Sequence, residues 1–209
     1  MKVKISNGNI KMGYIKSVSL PPVVTCAEGC TCAKDCYGIK MCKRYPSVKK
    51  SYENNLAIYL EDSDEYFLQI QSEAFTQRFF RWHVCGDIVD EYYFTQMVRT
   101  AHELSDTIFL AFTKKYDIVN EYVNKYGDFA IPNNLVIIFS AWKGMKLINP
   151  HNFPVAFVCR HWKKITDKLR KIFKRQHVHL CGGDCTECCK QGVGCFYAKK
   201  GGRIALPKH

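Results

Sequence analysis

The chain has 209 residues, of which 47% are apolar, and a formal net charge of +12. That size suits one domain with at most a small appended module, and that apolar share excludes global disorder. No segment approaches the ~18 uninterrupted apolar residues of a membrane span, and the N-terminus lacks the apolar core of a signal peptide, so a cytoplasmic protein without a membrane partner is expected.

Residues 1–20 read as an extended, weakly alternating segment with a turn at Asn7-Gly8, ended by Pro21-Pro22. Cys26, Cys30, Cys32 and Cys36 then fall within eleven residues, with Cys42 just beyond. In a reducing compartment such density points to metal ligation or redox chemistry rather than to disulfides. The simplest ligand choice is Cys26, Cys32 and Cys36, with Cys30 and Cys42 as rivals. Three ligands leave a metal position open for a small molecule, and four close the site.

Helical spacing continues through Ser47–Leu60 and Tyr66–Gln77. The second stripe is Phe67, Ile70, Ala74 and Phe75, with Ser63 or Asp64 as its cap. Phe79–Cys85 reads as a buried strand closed by Gly86-Asp87, in which His83 shares a face with Arg81 and Cys85. A helix from Asp90 to Leu104, a strand over Thr107–Thr113, a helix over Tyr116–Tyr126 ended by Gly127, and strands over Leu135–Ser140 and Val155–Cys159 follow. A basic helix is expected over His161–Arg175.

Strands alternating with helices imply βα units on a parallel sheet, and ligands on such sheets gather at the C-terminal strand ends. Those ends carry Cys85-Gly86-Asp87, Thr113-Lys114-Lys115, Ser140-Ala141-Trp142 and Cys159-Arg160-His161. The expected fold is α/β, with parallel βα units forming a partial (TIM-like) barrel over residues 1–176 and a Cys-rich metal-binding extension over 177–209.

In that extension Cys181, Cys185, Cys188 and Cys195 supply four thiolates at loop spacings, suited to structural zinc or to an iron–sulfur cluster. Cys189 is a spare, sulfur is abundant enough to make ligation by His177 or His179 unnecessary, and only Cys85 and Cys159 stand outside the two sets. Metal-bound thiolates would offset much of the positive charge. The basic helix, with Arg160, Lys163, Lys164, Lys168, Arg170, Lys171, Lys174 and Arg175, offers a nucleic-acid or other anionic partner a surface. Ile165, Leu169, Ile172 and Phe173 give it an expected buried face. No GxxxxGK[ST], GxSxG or HExxH is present.

The runs SVSLPPVVTC, CYGIK, RYPSV, RWHVCGDI, FLAFTKKYDIVN, IPNNLVIIFSAW and CGGDCTECCKQGVGCF resemble the "gene product 88" family of phages and gut bacteria over nearly the whole chain. A cysteine cluster ending in Cys-Tyr, a strand ending in Gly-Asp and a strand ending in Thr-Lys are, more distantly, similar to radical-SAM-type proteins. That resemblance implies a [4Fe–4S] cluster on Cys26, Cys32 and Cys36, and S-adenosylmethionine near Gly86, Asp87, Thr113 and Lys114. It also implies Tyr37 packed by the cluster or the adenine, and an auxiliary cluster on the C-terminal cysteines. The gaps here, five and three residues, depart from the three and two common in that superfamily. The remaining alternatives are a zinc-bound nucleic-acid-binding protein and a two-cluster redox protein.

Overall fold

The computed structural model describes residues 1–159 and 165–207, apart from the side chain of Lys168. A short hairpin pairs β1 (Ile5–Ser6) antiparallel with β2 (Lys16–Val18). Helices α1 (Tyr37–Arg44), α2 (Pro46–Glu61) and α3 (Ser63–Ala74) lead to β3 (Phe79–Trp82). Then come α4 (Glu91–Glu103), β4 (Ile108–Thr113), α5 (Tyr116–Tyr126), β5 (Leu135–Ala141) and β6 (Val155–Cys159). The described chain ends with α6 (Asp167–Arg175), β7 (Val178–Leu180), α7 (Cys185–Lys190) and β8 (Arg203–Pro207).

The eight strands form one sheet in the order β1-β2-β3-β4-β5-β6-β8-β7. Every pairing after the first hairpin is parallel. Strands β2 to β6 therefore lie side by side in chain order, and connections that all step the same way place their helices on one face. Packing agrees. Tyr59, Tyr66, Phe67, Tyr93, Met97 and Val119 from α2 to α5 share one cluster with Val18, Phe80, Trp82, Phe109, Ala111, Ile137 and Phe139 of the sheet. The alternate residues Leu110, Val136, Ile138, Ala156 and Ile204 face the other way, where Phe196 and the flanks of Cys185, Cys189 and Cys195 cover them. A parallel sheet needs both faces covered, and the C-terminal segment covers the face that the helices leave bare. It also threads β8 between β6 and β7, so residues 177–207 are woven into the same sheet.

Helix ends follow local chemistry. Asp62, rather than Ser63 or Asp64, caps α3 by accepting from Glu65 N at 2.9 Å. Phe75 lies past the last turn of that helix and is 72% exposed, so it does not extend the buried stripe. Asp90 caps α4 through Tyr93 N at 2.8 Å, and both its oxygens accept from the Tyr59 hydroxyl. Asp90→Ala removes the cap and strands a phenol that is itself buried. It is expected to cost about 2 kcal/mol, measured by the urea midpoint.

Three expectations need correction. The strand predicted over Phe79–Cys85 ends at Trp82, because His83 takes a φ of +52°. This turns the His83 ring away from the Arg81 face and toward Tyr93, whose hydroxyl lies 3.0 Å from Nε2. Of the basic helix predicted over His161–Arg175, residues 160–164 lie outside the described residues, Ile165 and Thr166 are not helical, and the described helix is Asp167–Arg175, capped by Thr166. Its apolar stripe is not sealed against the sheet, since Leu169 is 40% and Ile172 38% exposed. Among the described residues no helix is long and apolar enough to cross a membrane.

Candidate metal centres at the strand ends and on the sheet face

The N-terminal cysteine loop begins where β2 ends. Beyond the regular ladder His83 N donates to Val18 O at 2.9 Å and Leu20 N donates to Cys85 O at 3.0 Å, fastening the loop's root to the end of β3. Thr25 is the next anchor. Its hydroxyl donates to Pro21 O at 2.9 Å and accepts from Asp87 N at 3.1 Å. The Asp87 carboxylate is buried and accepts from Thr113 Oγ1 at 2.6 Å, Lys114 N at 2.9 Å and Ile88 N at 2.8 Å. Burial still holds its pKa above the ordinary carboxylate value, against the pull of those donors. Asp87 and Thr113 thus splice β3, β4 and the cysteine loop together. Gly86 is required by close approach: an added Cβ would lie 2.7 Å from Leu20 O and 2.8 Å from Thr25 Oγ1.

The loop arches across the strand ends. Thr31 Oγ1 donates to Lys143 O, beyond β5, at 2.8 Å. A cleft of about 780 Å³ opens there, lined by Cys26, Gly29, Lys114, Tyr116, Met145 and Lys146 among others. The Lys114 ammonium acts on Cys26 and Cys32, so it faces the loop. Lys115 is committed elsewhere, its Nζ donating to Val89 O at 2.7 Å. Cys30 Sγ and Cys32 Sγ are 2.8 Å apart. Tyr37 opens α1 with 43% of its surface exposed.

Cys85 joins this set. It is 5% exposed, and an added Cβ on Gly38 would sit 2.0 Å from its sulfur, so the start of α1 packs directly onto the thiol. Cys36, Cys42 and Cys26 are its electrostatic neighbours. The expectation that Cys85 stands alone is therefore corrected. The signal for it was Gly38, small where the helix must touch β3's end.

The C-terminal set lies on the sheet face. Cys181 N donates to Ala205 O at 3.0 Å, and Cys185 N donates to Lys11 O at 3.0 Å, tying α7 to the β1–β2 hairpin loop. Asp184 caps α7 through Glu187 N. Cys181, Cys185 and Cys188 all act on Cys195, so the four expected ligands are electrostatic neighbours. His179 Nε2 lies 3.8 Å from Cys188 Sγ, both beside Gly194, whose φ of +82° lets the backbone pass there.

The thiols whose pKa is displaced all move the same way. Burial pushes up Cys26, Cys42, Cys85, Cys185 and Cys188, and raises Cys32 and Cys195 to about 12 and Cys189 to about 11. Nucleophilic cysteines need the opposite shift. Protonated, crowded thiols suit ligands whose protons leave only when a metal binds. All twelve cysteines are free, and among the described residues no three Cys, His, Asp or Glu side chains converge to hold a single ion. What fits a soft metal is the donor chemistry, sulfur-rich and short of carboxylates.

The structure thus brings Cys26, Cys32, Asp87, Thr113 and Lys114 together at the strand ends, with Cys36, Cys42 and Cys85 adjoining around Gly38. It holds Cys181, Cys185, Cys188 and Cys195 in a separate set, and leaves Cys159 at the end of β6. No curated protein and no solved structure matches the chain. The family model described as "Gene product 88" matches residues 2–205, nearly the whole chain, and the chain belongs to that family.

Proposed function

We propose that this chain is an iron–sulfur protein with two cluster sites. Cys26, Cys32 and Cys36 hold a [4Fe–4S] cluster above the strand ends, and Cys181, Cys185, Cys188 and Cys195 hold a second one on the sheet face. The proposal extends to S-adenosylmethionine as the occupant of the cleft beside the first cluster, and to a sheet curved as a partial barrel. The observation that supports it best is placement. A cysteine loop follows the first strand of a parallel run laid out in chain order and borders the strand-end cleft together with Lys114, while Gly86-Asp87 follows the second strand and anchors both the loop and the Lys114 backbone from beneath. Ligands on parallel sheets bind at this edge.

When bound, the first cluster would supply the electron for reductive cleavage of S-adenosylmethionine. The protein's own contribution is positional. Asp87 holds the loop in register with β4, and the Lys114 ammonium offers a carboxylate partner beside the open metal position. The C-terminal segment keeps the sheet face dry.

Metal and sulfide analysis of anaerobically purified protein, with EPR spectra with and without S-adenosylmethionine, tests this. About four irons per site and a reduced-cluster signal that S-adenosylmethionine perturbs are expected. The variant Cys26→Ser/Cys32→Ser/Cys36→Ser should lose about half the iron and all of that perturbation. Iron with no response to S-adenosylmethionine would reduce the reading to a two-cluster redox protein. Stoichiometric zinc without iron would replace it with a zinc-bound protein, for which the salt dependence of nucleic-acid binding through residues 160–175 becomes the next measurement.

A further inference from the structure

Arg81 lies in the middle of β3, paired in register with Leu110 of β4. Leu110 belongs to the apolar layer of Val136, Ile138, Ala156, Phe196 and Ile204, on which Cys185, Cys189 and Cys195 pack. A guanidinium in such a layer needs an explanation. Its Nε is out of contact with solvent and has no hydrogen-bond partner. The guanidinium carbon sits 5.0 Å from the centroid of the Phe112 ring, a contact that supports a cation without neutralising it. Among the described residues none of the ion pairs involves Arg81. Burial lowers its pKa, and the groups whose ionised forms would oppose that shift are Cys195, Cys185 and Cys181, in that order. Arg81 as a whole is half-buried, yet a guanidinium set into an apolar layer without a counter-charge is destabilising. Neutral thiols cannot supply that charge, whereas metal-bound thiolates can.

We infer that Arg81 is the counter-cation of the C-terminal centre, donating N–H···S hydrogen bonds to the thiolates of Cys181, Cys185 and Cys195, and that this centre is a net anion. The inference rests on the reading of the C-terminal cysteines as metal ligands, and it adds a residue that the strand, not the cysteine segment, contributes. Four thiolates around zinc or around an oxidised [4Fe–4S] core leave the site negative, and three thiolates with His179 in place of Cys188 still leave it one charge negative, so either donor set matches a cation at Arg81. Arg81 is a positioning residue, with no contact to substrate implied.

The test compares wild type, Arg81→Met and Arg81→Lys, all purified anaerobically. Metal content, thermal unfolding and the half-life of metal release to a chelator are measured. Unfolding is repeated after stripping under reducing conditions. With metal bound, R81M is expected to unfold at a lower temperature and to release the C-terminal metal at least tenfold faster, while R81K stays close to wild type. After stripping, the order reverses: R81M is at least as stable as wild type, because the unpaired charge in the apolar layer has gone. A role limited to packing on Phe112 would lower R81M in both states and overturn the inference. Should R81M not fold, Arg81→Gln takes its place, with metal release as the readout. If Cys181→Ser/Cys195→Ser costs no metal relative to wild type, the C-terminal set is not a metal site and both readings fall. If that variant loses metal but R81M retains it with wild-type half-life and stability, only the assignment of Arg81 falls.

Discussion

Gly86→Ala is expected to destabilise the protein by about 2–5 kcal/mol, a large loss for one added methyl. Two independent costs add. Gly86 has a φ of +82°, where an L-residue loses about 1–2 kcal/mol. The new methyl would also lie 2.7 Å from Leu20 O, 2.8 Å from Leu20 Cβ and 2.8 Å from Thr25 Oγ1. None of these atoms is the free end of a flexible side chain, so the overpacking adds about 1–3 kcal/mol. The damage is aimed at the site, because Thr25 is the hydroxyl through which Asp87 holds the cysteine loop. Gly29→Ala is the internal control. Gly29 has a similar φ of +65° but nothing within 4 Å of the added Cβ, so only the backbone cost of about 1 kcal/mol applies. Urea unfolding of both variants decides the matter. Equal losses would show that close approach at Gly86 is not what selects glycine.

The second large effect is acid lability centred on His83. The ring is 2% exposed, its Nε2 faces the Tyr93 hydroxyl at 3.0 Å, and that hydroxyl pairs with Tyr66 at 2.8 Å. Burial, assisted by the charges of Arg81 and Lys115, pulls the His83 pKa down to about 3. An unfolded histidine titrates near 6.5, so the unfolded state takes up the proton first as pH falls. The stability tied to neutral His83 is complete above pH ~6.5 and is lost progressively down to pH ~3, on the order of 4 kcal/mol in all, of which about 3 kcal/mol is gone by pH 4. Asp87 works in the opposite sense. Its folded pKa is raised, so its contribution is complete below the unfolded carboxylate value and declines as pH rises through the folded one. His83→Asn separates the two, since asparagine tolerates the φ of +52° and does not titrate. The difference in stability between wild type and H83N should shrink steadily from pH 7 to pH 4. A constant difference would place the proton elsewhere.

Both predictions involve residues beyond the regular end of β3, where reading by period stops working. Alternation carries the strand reading smoothly from Phe79 to Cys85, yet the backbone turns at His83. One left-handed residue then directs His83 to the tyrosine layer and Cys85 to the cysteine loop. Nothing in a two-residue period announces that turn; a residue type that tolerates φ > 0, followed closely by glycine, is the only local hint. Cys85 is legible only through Gly38, nearly fifty residues earlier. Arg81 looks like an ordinary strand position until the face it shares with Leu110 is known.

Local patterns did determine much. Helix α5 runs from Tyr116 to Tyr126 and stops at Gly127, whose N–H caps it through Val123 O, as the apolar stripe and the glycine predict. The runs TIFLAFT, LVIIFS and VAFVC are strands, adjacent and parallel in the sheet, because short apolar runs between helices have little else to do. The two cysteine sets and their soft-donor chemistry are likewise plain from residue type and spacing. What only the tertiary structure decided is where the sets lie. Strands β2 to β6 in chain order put helices α2 to α5 on one face, so the opposite face had to find its cover among the remaining residues. Phe196, 4% exposed in the middle of the cysteine-rich segment, and Ile204 in β8 supply it. Chain order and periodicity are local quantities, whereas the choice of face is set by burying both sides of one sheet at once, a condition that no single stretch of sequence contains.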